Sequence, residues 1–394
     1  YGTHGLYSFE QLARFEYRDL KLFISIFSIY YLSKVFTFPL FVEKSKYKLL
    51  IFLVILIMDF VKDDKNNYLN GRGAQFNITN KFLKNSLAKE HPEGIDDWEE
   101  PNAKTTFIIG KSKSIVNKVE SPDVGMAYSL NPYQGCEHGC IYCYARNSHE
   151  YWGFSAGLDF ERKIIVKKDA PELFIKFLAK KGWDATPISL SGNTDCYQPA
   201  ERKFRLTRQL LEIALAYKQP IAMITKNALI LRDLDILQEL AKLKLAMVYV
   251  SITSLDEKLR LKLEPRTTTA KQRLKIIEEL SKVGLPTGVM AAPMIPGLND
   301  HEMPAILKAS ADNGCKSAGY TVVRLNGVIN QLFEDWLRKN FPDRFDKVWH
   351  QIQNCHNGNV NDSRFGTRMR GEGNFAEMIR NTFKLHCRLN GLLV

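Results

Sequence analysis

The chain has 394 residues, 45% hydrophobic and 25% charged, with a formal net charge of +12 and seven cysteines. That length and balance exclude a disordered chain and leave room for two or three domains, or for one large α/β barrel with extensions. An odd cysteine count, with three inside one short loop, excludes a disulfide framework and points to a metal or cluster site in a reducing, cytoplasmic setting. The basic surplus favours anionic partners.

Residues 1–57 carry two apolar runs, 20–42 and 47–57, the first broken by Lys21, Lys34 and Pro39. The second is shorter than the ~20 residues that cross a bilayer. Composition turns polar at Met58, so 1–57 read as a hydrophobic segment upstream of a natural start, dispensable for folding. The rival reading is a membrane-associating hairpin, and a membrane partner is expected only if that segment is native. Residues 58–125 read as a polar, loosely packed lead-in.

From 126 to 325 short apolar runs recur at 126–130, 187–191, 221–225, 247–252, 287–292 and 318–323. Helical spacing fills the gaps at 171–181, 202–218, 231–244, 269–284 and 300–314. Pro171 suits a first turn, Thr269 and Gln272 have capping-box spacing, and Gly284 is a stop. Six alternations imply a parallel sheet with right-handed crossovers. Every strand hands its C-terminal end to polar or special-geometry residues, which favours a partial (β/α)6 TIM-like barrel over an open doubly wound sheet. Residues 326–394 read as a helical extension, with amphipathic stretches at 331–353 and 374–390 around an arginine- and glycine-rich tract at 361–373.

The run NPYQGCEHGCIYCYA follows the first strand and spaces Cys136, Cys140 and Cys143 as Cys-x3-Cys-x2-Cys. Thiolates suit iron–sulfur clusters and zinc. Three thiolates leave one iron of a 4Fe–4S cluster open. A structural zinc site would need a fourth ligand, for which His138 is at hand, but no second cysteine knuckle exists. Gly135 and Gly139 allow tight turns around an inorganic core.

This loop resembles that of the radical S-adenosylmethionine superfamily, and more closely its spore photoproduct lyase and DNA repair photolyase-like branch. SGNTDCYQPAE resembles that branch's TD-x-YQP-x-E segment, and MITKN, SITSLD, EPRTTT and MIPGLND fall at similar places. The match spans about 104–385, and DSRFGTRMRGEGNFAEMI is similar to an uncharacterised bacterial subgroup. The resemblance implies a 4Fe–4S cluster on the three cysteines and S-adenosylmethionine on its open iron. It further implies reductive cleavage to a 5′-deoxyadenosyl radical and an external electron donor such as flavodoxin or ferredoxin. Tyr142 holds the position where the family carries an aromatic residue beside the adenine.

Gly192, Asn193, Thr194 and Asp195 are candidates for the cofactor's amino group. Lys226 and Arg266 are candidates for its carboxylate, Ser251 for the ribose and Met294 for the adenine. The alternatives are a helix-starting turn for the first group, a loop lysine, a surface ion pair, an edge serine and core packing. Cys196 is either a hydrogen donor at the barrel mouth or a small buried thiol. Cys315, Cys355 and Cys387 read as structural. Arg364, Arg368 and Arg370 are expected to form a basic rim for an anionic, nucleic-acid-like substrate, with a salt-pinned turn as the alternative.

Overall fold

The aliphatic and β-branched runs form strands close to the expected places in the computed structural model, which describes residues 68–82 and 104–394. The expectations for 1–57 lie outside those residues. The strands are β1 (Thr106–Ile109), β2 (Val116–Lys118), β3 (Tyr128–Leu130), β4 (Tyr133–Gln134), β5 (Lys163–Val166), β6 (Ile188–Leu190), β7 (Ile221–Thr225), β8 (Ala246–Ser251), β9 (Thr287–Met294) and β10 (Ser317–Val322).

The main sheet runs β10-β9-β8-β7-β6-β3-β2. Its edge strand β2 is antiparallel to β3, and the other six are parallel. Each parallel strand lies beside its successor in that set. Right-handed crossovers that always step the same way keep the helices on one face and curl the sheet into a partial barrel. Leu130, Leu190, Met223, Val248 and Val289 anchor its core, each no more than 2% exposed. Each such side chain contributes about 1.5–3 kcal/mol by burial. All six C-terminal strand ends, the cysteine loop included, therefore open on one rim.

Local signals predict the caps well. Thr269 accepts the Gln272 N–H at 3.3 Å, and the helix Ala270–Lys282 stops before Gly284, whose φ is 78°. Elsewhere tertiary contacts override periodicity. The helix expected over 202–218 breaks at Arg205 (φ 52°) into Glu201–Phe204 and Leu206–Ala216. The break lets the buried Glu201 carboxylate accept the Thr207 N–H at 3.0 Å and cap the second piece. The stretch 331–353 splits into Ile329–Asn340 and Phe345–Cys355 around Pro342, which cannot continue a helix.

Two features differ from the sequence reading. A second sheet, β1-β5-β4, was not expected. Residues 69–82 are not loose: Arg72, Ala74 and Asn80 are at most 5% exposed, and Ala74 packs with Cys140, Ile141 and Tyr142. The amphipathic C-terminal helices pack on the barrel. Cys355, Ala376, Ile379, Phe383 and Cys387 join the main core, and Trp336 is fully buried beside the cysteine loop's own apolar cluster. Among the described residues no helix is long and apolar enough to cross a membrane.

Candidate active site

The cysteine loop leaves β4 through Gly135 (φ 80°) and turns again at Gly139 (φ 70°). It is suspended from backbone that is remote in sequence. The Cys136 N–H donates to Phe160 O at 2.9 Å, Ile141 N–H to Leu263 O at 3.0 Å, and Arg266 N–H to His138 O at 3.2 Å. Gln198, fully buried, clamps both sides of Cys136: its Nε2 donates to Gly135 O at 3.0 Å and its Oε1 accepts the Glu137 N–H at 3.1 Å. Sequence reasoning did not find that role, although Gln198 stands in the quoted SGNTDCYQPAE tract.

Cys136 and Cys140 are 6% and 7% exposed, and Cys143 is half-buried. Burial pushes all three thiols up, and repulsion from Asp195, Cys140 and Cys143 pushes Cys136 further. Thiols that oppose one another's ionisation need a cationic core to hold them as thiolates, which an iron–sulfur cluster provides. His138 does not fit the zinc alternative. Its Nδ1 lies 3.4 Å from the Asp195 carboxylate and its Nε2 3.1 Å from Asn227 Nδ2, and burial lowers its pKa to about 4. Among the described residues no three His, Cys, Asp or Glu side chains are grouped to hold a metal ion. A cluster asks for something else, one thiolate on each of three irons.

Behind the third cysteine lies a buried polar layer. The Tyr142 hydroxyl donates to Glu264 and lies 3.1 Å from Thr253 Oγ1. Glu264 also accepts from Arg273 and Thr253, both at 2.5 Å. Burial opposes the Glu264 charge, yet Arg273 and Lys226 outweigh it and hold the carboxyl at about 2. The Lys226 ammonium sits 6.0 Å from the centre of the Tyr142 ring. Burial works against that charge too, but Cys140 and Glu264 raise its pKa. Among the described residues no hydrogen bond or ion pair occupies the ammonium at the end of β7.

Other candidates are already engaged. Asp195 accepts from Tyr197 N–H (2.9 Å), Thr225 Oγ1 (2.8 Å) and Lys226 N–H (2.8 Å), tying the β6 loop to β7 and to His138. Gly192 O accepts from the Tyr144 hydroxyl at 2.7 Å. The Asn193 amide bonds Gln134 and Ser148, and Thr194 donates to Tyr133 O at 2.6 Å. Ser251 is 1% exposed, its hydroxyl 3.4 Å from Ala292 O. Arg266 pairs with Glu137 of the cysteine loop at 3.6 Å.

The hydrogen-donor and adenine expectations meet a packed core. Cys196 and Met294 are both fully buried in the main apolar cluster. A hydrogen donor must reach a substrate, and Cys196, at 0% exposure beside Ser191 and Thr207, is shut off from the surface. The basic rim needs a similar correction: Arg364 bonds Asp362 and Glu372, and Arg368 bonds Asp123 and Ser121. These pairs match the salt-pinned turn rather than free anion ligands; among the described residues only Arg370 of the three is exposed without an ion pair.

His149 gives this region a pH dependence. It is fully buried between Phe154 and Phe160, its ring nitrogens meet no partner in hydrogen-bond geometry among the described residues, and burial lowers its pKa from 6.5 to about 4 against the weaker opposing pull of Asp159. The unfolded chain therefore binds the proton first as pH falls. Stability is fully present above pH 6.5, declines between 6.5 and 4, and is constant in this term below. The decline amounts to about 3 kcal/mol at most. Denaturant titrations at pH 7 and pH 5 should show His149→Phe losing much less stability than the wild type. Equal losses would remove His149 from the explanation.

A parallel half-barrel that carries three cysteine thiols, two buried and one half-buried, on a loop at its C-terminal rim is an arrangement suited to an iron–sulfur cluster. Comparison with known proteins narrows this class. A family model for the radical SAM superfamily matches residues 130–309. An uncharacterized protein of Mycobacterium tuberculosis is 32% identical over 241 residues, covering 60% of this chain and 71% of that protein. Another, from Methanocaldococcus jannaschii, is 26% identical over 247 residues, covering 63% and 88%. Spore photoproduct lyase complexed with dinucleoside spore photoproduct has a similar fold, at TM-score 0.56 and 16% identity over 77% of this chain and 87% of that one. The chain belongs to the radical SAM superfamily, whose members carry a 4Fe–4S cluster and S-adenosylmethionine.

Proposed function

We propose that this protein cleaves S-adenosylmethionine reductively at a 4Fe–4S cluster held by Cys136, Cys140 and Cys143, and directs the radical chemistry at nucleic acid for repair or modification. The observation that carries the first half is the convergence of the three thiols, the Tyr142 ring and the unbonded Lys226 ammonium at one end of the half-barrel. When bound, the reduced cluster would supply the single electron for reductive cleavage of the cofactor's C–S bond. The chain's own residues do the rest. Lys226 would neutralise the cofactor carboxylate, and Tyr142, fixed by Glu264, would hold its adenine. Gln198 and the Asp195–His138 contact hold the loop so that the thiols keep their spacing. Partial burial excludes water, and an external flavodoxin- or ferredoxin-like donor delivers the electron in the cytoplasm. The net charge of +12 and the fold shared with a lyase solved with a dinucleoside photoproduct support the second half.

Anaerobic reconstitution should give iron and sulfide in the ratio of a 4Fe–4S cluster and broad brown absorbance. Dithionite with S-adenosylmethionine should then release 5′-deoxyadenosine. Alanine at Cys136, Cys140 and Cys143 should abolish both. Stoichiometric zinc without iron, or a full cluster in the triple variant, would overturn the assignment.

A further inference from the structure

With Arg364 and Arg368 committed to internal pairs, one guanidinium at the mouth stands apart. Arg324 follows the C-terminal end of β10, is half-buried, and makes no hydrogen bond or ion pair among the described residues. Burial and the neighbouring Arg368 both lower its pKa, while the nearby Asp123 and Asp362 are bound to Arg368 and Arg364. Its backbone is held rigidly. The Val323 N–H donates to Met294 O at 2.8 Å, Leu325 N–H to Val360 O at 3.0 Å, and Asn326 O accepts from Asn147 Nδ2 at 2.9 Å. A half-buried cation on a fixed strand end, without an internal counterion, is set to receive an external anion.

One exposed aromatic ring interacts with it directly, and a second lies against its neighbour Arg368. Tyr144, next to Cys143, interacts electrostatically with Arg324 and is 54% exposed, while its hydroxyl is pinned to Gly192 O at 2.7 Å. Phe365 is 60% exposed, and the Arg368 guanidinium stacks 4.3 Å from its ring centre. A free guanidinium with exposed rings nearby matches a phosphodiester whose bases are unstacked, because stacking accepts any base while the cation takes the backbone. A continuous duplex offers no unstacked base to such rings.

We propose that Arg324, with Tyr144 and Phe365, forms the subsite for the phosphate of a single-stranded or locally unstacked nucleotide at the barrel mouth. The choice of nucleotide rests on the nucleic-acid reading above; the anion site rests on Arg324 itself.

The test uses the full cluster-loaded chain, a labelled short single-stranded oligodeoxynucleotide followed by anisotropy, and inorganic pyrophosphate as a second probe. Arg324→Gln should weaken oligonucleotide binding about tenfold or more and reduce the salt slope by roughly 0.7, the share of one phosphate. Arg324→Lys should recover part of the loss. Arg388→Gln, which removes the same charge from the exposed face of the C-terminal helix, should leave affinity unchanged. Phe365→Leu, at a site exposed enough to spare the fold, should weaken binding several-fold without changing the slope. Wild-type affinity in Arg324→Gln, or an equal loss in Arg388→Gln, overturns the proposal. If pyrophosphate binds through Arg324 but no oligonucleotide does, the nucleic-acid reading fails and the anion site stands. If neither probe binds, both fail.

Discussion

Glu264→Ala is expected to cost about 3–5 kcal/mol of folding stability, the range for breaking one half of a buried ion pair. Glu264 is fully exposed to nothing but protein, at 0% solvent exposure, and Arg273 is equally buried. Without the carboxylate the guanidinium keeps Thr268 O and Ser251 O as partners, at 2.9 Å each, but no negative charge answers it. Tyr142 and Thr253 lose their common acceptor in the same step. Glu264→Gln keeps the shape and one acceptor, and should fall between alanine and wild type. Denaturant titration of the apo protein measures the effect free of the cluster, and iron content after reconstitution measures its consequence for the loop. A loss below about 1 kcal/mol would mean that water or a side-chain rearrangement reaches Arg273, contrary to the pairing described.

Gly73→Ala is expected to release the segment 69–82 from the cysteine loop. A Cβ at Gly73 would stand 1.8 Å from Gly139 O and 2.9 Å from Gly139 C, both backbone atoms. Neither side can yield cheaply. Gly73 N–H and Ala74 N–H donate to the buried Glu161 carboxylate at 3.1 and 2.8 Å, and Glu161 also pairs with Arg146 at 2.6 Å. The clash therefore breaks those bonds or displaces Gly139 between Cys136 and Cys140. The expected cost is about 3 kcal/mol or more, with faster proteolytic cleavage of the segment and faster bleaching of the cluster in air. Gly71→Ala is the control: its φ of 76° carries backbone strain of about 1 kcal/mol, but nothing lies within 4 Å of the new methyl. Similar behaviour of the two variants would show that strain, and not the close approach, governs the segment.

Much of this molecule is legible one window at a time. The six parallel strands, the Pro171 and Thr269 helix starts and the Cys-x3-Cys-x2-Cys loop are each encoded within a few consecutive residues. Hydrophobic period, cap chemistry and ligand spacing are local quantities. The alternation also carried the half-barrel, because right-handed crossovers leave sequential parallel strands few other arrangements.

What only the tertiary structure decided is which polar groups remain free. Gln198 reaches Gly135 across 63 positions and Arg368 reaches Asp123 across 245, and no periodicity marks either pair. The β1-β5-β4 sheet eluded the pattern for a related reason, since strands of two to four residues hold too few alternations to show a period. Asp195, Arg266, Arg364 and Arg368 stand in the expected tracts, yet their charges are spent on neighbours, while Lys226 and Arg324 keep theirs. Sequence determines which charges exist and on which strand end they fall. Burying a charge is costly without a partner, so the three-dimensional pairing of acids and bases decides which of them is left for a ligand.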